Sequence, residues 1–82
     1  MKILYFAWVR ERMGRGEETI EPPDSVETVG DLLAWLKARD TIGAEALASP
    51  QIRVAVNQAF AQTAHRVKPG DEIAIFPPVT GG

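Results

Sequence analysis

Only one stretch of this 82-residue chain carries a sustained helical period, and that limits the folds open to it. Val29, Leu32, Leu33 and Leu36 recur at i, i+3, i+4 and i+7, which lays a single apolar stripe along a helix. Thr28 stands where an N-cap hydroxyl belongs, and Asp31 occupies the position from which a capping-box acid reaches back. Lys37 and Arg39 fall in the last turn, where cations suit the helix dipole, and Trp35 lies at the edge of the stripe. One stripe cannot bury itself, so the rest of the chain must supply a sheet for it to cover.

The remaining segments read as short strands. Residues 2 to 9 are apolar throughout after Lys2, rich in β-branched and aromatic types, and suit a central strand. Arg10 to Gly16 is polar, carries Gly14 and Gly16, and reads as a loop. Glu17 to Glu21 makes a short second strand, stopped by Pro22-Pro23-Asp24. Thr41 to Pro50 is a connection with a short helical turn around Ala44 to Ala48. Ile52, Val54 and Val56 alternate with Arg53 and Ala55 in a half-buried strand that ends at Asn57-Gln58. A weak strand near Arg66-Val67 and the turn Pro69-Gly70-Asp71 precede a last strand, Glu72 to Phe76. The order is that of an α+β, ubiquitin-like β-grasp domain spanning 1–82: a small mixed sheet packed on one main helix, with 77–82 projecting as a tail. A chain this short buries little more than ~60% of its unfolded surface, so one modest core is expected.

Parity then has a consequence. If Ile3, Tyr5, Ile73 and Ile75 face the helix, Leu4, Phe6, Ala74 and Phe76 face away. One helix cannot cover both faces. Phe6 and Phe76, with Leu4 and with Phe60 from the hairpin after Asn57, are expected to form an apolar patch beside the tail, of the kind that marks a partner surface.

Chemistry is scarce in the body of the chain. There is no cysteine, which excludes disulfides, thiolate nucleophiles and cysteine-based zinc sites. His65 has no second histidine to complete a metal site, and Gly14-Arg15-Gly16 lacks the third glycine of a dinucleotide loop. Arg10, Arg12 and Arg15 cluster, but Glu11, Glu17 and Glu18 are interleaved, and the run reads as solvated. A net charge of −2 disfavours nucleic acid as a partner. The apolar start is cut short by Arg10, too soon for a signal peptide or a membrane span, so a cytoplasmic location is expected, with no membrane partner.

What reactivity there is lies at the end. Phe76-Pro77-Pro78-Val79-Thr80-Gly81-Gly82 presents a terminal carboxylate with no side chain near it, on a backbone that fits a narrow channel. The prolines stiffen the approach. Gly82 is therefore the candidate reactive residue.

The segment Gly70 to Gly82 closely resembles the C-terminus of the small-subunit family of molybdopterin synthase. Ile3-Leu4-Tyr5-Phe6-Ala7 followed by Val9-Arg10-Glu11, the Thr28-Val29 helix start and Ala55-Val56-Asn57-Gln58 agree with it, so the likeness spans essentially the whole chain. The resemblance implies a sulfur carrier that is itself a non-catalytic subunit of an enzyme complex. An activating enzyme adenylates the terminal glycine with ATP and Mg²⁺, a sulfur donor converts it to a thiocarboxylate, and the tail enters the large subunit to sulfurate cyclic pyranopterin monophosphate. Two transfers build the molybdopterin dithiolene, in a heterotetramer that holds two copies of each subunit. Carried over by position, Gly82 bears the adenylate and then the sulfur. Gly81 passes the channel, Pro77, Pro78, Val79 and Thr80 line it, and Phe6, Phe60 and Phe76 contact both partners. No cofactor or metal is expected on this chain. Two other uses of such an end stay open: sulfur delivery to the thiamine thiazole, and isopeptide attachment to proteins.

Overall fold

In the computed structural model, which describes residues 1–39 and 43–78, the sheet is built around its last strand. The strands are β1 (Lys2–Tyr5), β2 (Glu17–Thr19), β3 (Arg53–Val56), β4 (Ala59–Ala61) and β5 (Glu72–Phe76), in the spatial order β2-β1-β5-β3-β4. β5 runs parallel to β1 and antiparallel to β3, so both its edges are paired. The helices are α1 (Ala7–Met13), α2 (Val29–Arg39) and α3 (Ala44–Ala48). This is the expected mixed sheet of a β-grasp fold, with α2 as the main helix.

The capping box of α2 forms as expected. The Asp31 N–H donates to Thr28 Oγ1 at 3.1 Å, and Asp31 Oδ2 accepts from the Thr28 N–H at 3.3 Å. The next two orphan donors of the helix, the N–H groups of Val29 and Gly30, reach the carbonyls of His65 and Thr63 at 2.9 Å each. Val29, Leu32 and Leu36 are buried against Ile3, Tyr5, Val54, Val56, Ile73 and Ile75, while Leu33 and Trp35 are half-buried at the margin.

Residues 2 to 9 are not one strand, and Arg10 to Gly16 is not simply a loop. β1 stops at Tyr5, Phe6 stays extended, and α1 occupies Ala7–Met13. Ala7 has φ +53°, the turn that redirects the chain from strand to helix. Val9 and Met13, four residues apart, point into the core, whereas Arg10, Glu11 and Arg12 point to water. Gly14 (φ +77°) closes the helix, its N–H donating to the Arg10 carbonyl at 3.0 Å. The apolar run hid the change of period, because two turns hold only one i, i+4 pair.

The weak strand near Arg66-Val67 is reduced to an isolated bridge between Thr28 and Arg66. The fourth strand is instead β4, Ala59–Ala61, joined to β3 across Asn57 (φ +50°) and Gln58 (φ +73°), the paired positive angles of a type I′ hairpin turn. The short helix around Ala44 is present, and its N-cap Gly43 (φ +84°) lies so close to α1 that a Cβ would collide with the Met13 side chain.

A polar network ties the end of α2 to the sheet. Arg39 donates to both oxygens of Glu18, Nη1 to Oε1 at 2.8 Å and Nη2 to Oε2 at 2.9 Å, and stacks over Trp35. The buried Tyr5 hydroxyl donates to Glu18 Oε2 at 2.6 Å. The Arg39 guanidinium holds the Glu18 carboxyl below the usual carboxylate range despite its partial burial, whereas burial and that same carboxylate push the Tyr5 phenol up.

Candidate functional site

Every helical contribution to the core lies on one side of the sheet, and the other side carries the residues that parity assigned to it. Strand register sets one row across that face: Glu17, Leu4, Ala74, Ala55 and Phe60. Its centre is two alanines, so the face is shallow there and rises at Leu4 and Phe60. Leu4 and Ala74 are half-buried, and Ala55 is buried between Ala74 and Phe60.

At the end of β5 the candidate aromatic residues come together. The Phe60 and Phe76 ring centroids are 5.9 Å apart and tilted at 46°. Phe6 continues the β1–β5 register by one residue, its N–H donating to the Ile75 carbonyl at 3.1 Å, which sets it opposite Phe76. Phe60 is 80% exposed and Phe6 48%, an arrangement with no packing rationale in the isolated chain. Phe76 is half-buried, as is Pro77, and Pro78 is exposed. A groove lined by Leu33, Leu47, Ile52, Phe60, Phe76 and Pro78 runs beside this exit. Val79, Thr80, Gly81 and Gly82 lie outside the described residues.

The start of β5 is held by a clamp that sequence reading missed. Asp71 is buried; its Oδ1 accepts from Asn57 Nδ2 at 3.0 Å and its Oδ2 from the Lys68 N–H at 2.9 Å. Asn57 Oδ1 accepts from the Glu72 N–H at 3.0 Å, which joins the β3–β4 turn to the first residue of β5. Burial pushes the Asp71 carboxyl up, but the Asn57 amide and the Lys68 N–H outweigh it and hold the carboxyl below its usual range. Asp71 read only as a turn residue because its partner lies fourteen positions away, beyond any local pattern.

Among the described residues there is no cluster of histidine, aspartate or glutamate able to hold a metal ion. His65 is exposed. No helix among them is long and apolar enough to cross a membrane. The built features of the molecule are thus a partly apolar sheet face, three phenylalanines at one exit, and a central strand leading into the terminal segment.

Comparison with known proteins agrees with that arrangement. The chain is 39% identical to the molybdopterin synthase sulfur carrier subunit of Escherichia coli (strain K12), an alignment covering 100% of this chain and 99% of that one. It is 38% identical to the protein of the same name from Haemophilus influenzae, with the same coverage. Among solved structures, SAMP1 from Haloferax volcanii superposes with a TM-score of 0.78 at 30% identity, over 99% of this chain and 97% of that one. The family model described as "ThiS family" matches residues 3–82. The chain belongs to the ThiS family, together with the molybdopterin synthase sulfur carrier subunits that it matches from end to end.

Proposed function

We propose that this chain is the sulfur carrier subunit of a molybdopterin synthase, with the carboxylate of Gly82 as its working group. A carboxylate is a poor electrophile. Its oxygen attacks the α-phosphate of ATP on an activating enzyme, with Mg²⁺ there and pyrophosphate leaving, to give an acyl-adenylate. A sulfur donor then displaces AMP and leaves a thiocarboxylate on Gly82. Docking on the large subunit delivers that sulfur in a fixed orientation to cyclic pyranopterin monophosphate, an advantage that free sulfide lacks. Gly81 allows passage through a narrow channel, Pro77 to Thr80 line it, and Phe6, Phe60 and Phe76 make the docking contacts. On this reading the carrier binds no cofactor of its own, works in the cytoplasm, and leaves catalysis to the large subunit.

One observation carries the reading: the full-length match to sulfur carrier subunits in a chain whose central strand leads through Phe76-Pro77-Pro78 to Gly-Gly. The test is mass spectrometry of the protein after co-expression with its activating enzyme and a sulfur source. Met1, Met13, Trp8 and Trp35 can each gain an oxygen, a change of almost the same mass, so the C-terminal peptide is alkylated and fragmented. Sulfur on Gly82 is expected. An unmodified terminus in the presence of a working activator would overturn the proposal. Deletion of Gly82 is expected to abolish sulfur loading with the melting temperature unchanged, because a terminal glycine has no side chain to contribute to packing.

A second reading has its own support, since the archaeal structure of 30% identity is a small archaeal modifier protein by name. Attachment of Gly82 to lysines would appear as covalent ladders on many target proteins. Sulfur carriage alone gives none.

A further inference from the structure

We infer that Arg10 is a cation at the rim of the docking face, placed to receive a carboxylate side chain of the protein that takes the tail. This rests on the sulfur-carrier reading and adds the chemistry of the partner surface. By sequence, Arg10, Arg12 and Arg15 form one solvated run. The structure separates them: Arg15 bonds Glu18 at 3.2 Å, Arg12 is exposed on α1, and Arg10 has a seat of its own.

The seat is Gly16. A Cβ placed there would come 2.9 Å from Arg10 Cζ and 3.0 Å from Nε, so the guanidinium lies against the bare backbone of that glycine. Gly16 is outside the left-handed region, so backbone conformation does not demand glycine at this position; the guanidinium uses the space instead. The recess beside it is lined by Leu4, Phe6 and Glu17, so the cation borders both the apolar row and the exposed Phe6 ring. Arg10 forms no ion pair with any described residue. Glu17, in the same recess, pairs with Lys2 at 3.4 Å.

The planar fork of a guanidinium matches a carboxylate, and Arg10 reaches the rim of the apolar row with its own charge unspent on any described residue. The nearby Glu17 and the net charge of −2 disfavour a multiply charged phosphate as occupant. A single carboxylate carried on an otherwise apolar partner surface fits both.

The experiment measures association of the full chain with the purified large subunit of molybdopterin synthase from the same organism, by surface plasmon resonance at low and at physiological ionic strength. Arg10→Gln is expected to weaken binding ~10-fold, mainly through the association rate, and to flatten its salt dependence. Arg10→Lys recovers only part of the loss. Gly16→Ala, whose Cβ would occupy the space where the guanidinium lies, is expected to lower affinity several-fold while the melting temperature holds. Phe76→Ala, which removes an apolar anchor, is the control for docking itself and is expected to lose ~30-fold. Wild-type affinity in both Arg10→Gln and Gly16→Ala, with Phe76→Ala impaired, would sink the carboxylate seat and leave the sulfur-carrier reading standing. Failure of the unaltered chain to bind would sink both.

Discussion

Asp71→Asn tests whether the clamp at the root of the last strand acts as a charged acceptor or merely fills space. Both neighbours of the carboxylate are donors: Asn57 Nδ2 at 3.0 Å and the Lys68 N–H at 2.9 Å. Asparagine offers one acceptor and one donor, so either orientation of its amide turns one contact into donor facing donor. Losing a hydrogen bond to a charged group costs roughly 1.5–3 kcal/mol, and the lower half applies because water can reach the exposed Asn57 and Lys68. In a domain of this size ~1 kcal/mol moves Tm by about 4–8 °C, so a fall of about 6–18 °C is expected at neutral pH. Acid supplies the second half of the test. The folded carboxyl sits below its usual range, so its contribution is present above the unfolded value of about 3.9 and is lost as pH falls through the folded one. Protonation puts a hydroxyl where a donor already points, which is what the substitution does. Urea melts of the two proteins should therefore diverge at neutral pH and converge well below the ordinary carboxylate range. A neutral-pH difference under ~0.5 kcal/mol, or one that persists undiminished in acid, would refute the reasoning.

The other perturbations of the scaffold follow the same logic. Gly43→Ala is expected to lower stability by about 1–3 kcal/mol, because a side chain at φ +84° is strained and its Cβ would strike Met13; an unchanged melting temperature would show that α1 and α3 can separate freely. Glu18→Ala leaves the buried Tyr5 hydroxyl without its acceptor and Arg39 without its carboxylate, for an expected loss of about 2–3 kcal/mol. If the Tyr5–Glu18 bond matters, pairing Glu18→Ala with Tyr5→Phe gives less than the sum of the single effects.

The main helix was legible because its signals are local: a capping box between Thr28 and Asp31 and a stripe with an unbroken period. The face assignment of β1 and β5 was legible for the same reason, since alternation needs only neighbouring residues. What escaped depends on contacts between distant positions or on very short elements. α1 shows only Val9 and Met13 as its periodic pair, inside a run whose composition favours a strand. β4 is three residues long and follows a turn of Asn57-Gln58, where the usual second residue is glycine. The Arg39–Glu18–Tyr5 network joins residues 13 and 21 positions apart, and nothing local marks it. The patch of Phe6, Phe60 and Phe76 beside the tail was legible from parity and from the hairpin after Asn57; the register adds the ring contact of Phe60 with Phe76 and the placing of Phe6 opposite Phe76.

That exit has a mechanical logic if the tail is drawn into other proteins. Force on the tail is transmitted to β5 at Phe76. An edge strand could be peeled from its single neighbour, one hydrogen bond at a time. β5 has a ladder on each side, parallel to β1 and antiparallel to β3, so withdrawing it means shearing both together. Its far end is anchored as well, through Asp71 and the Asn57 bond to Glu72. Ile73 and Ile75, fully buried between the sheet and α2, add an apolar lock along its length. The strand that leads to the terminal glycines is thus the central one, paired on both sides and anchored at its far end. The face beside its end is left with Phe6 and Phe60 exposed. Rigidity below the exit and sticky surface around it are what a carrier needs if its end must enter and leave partner sites without loss of its own fold.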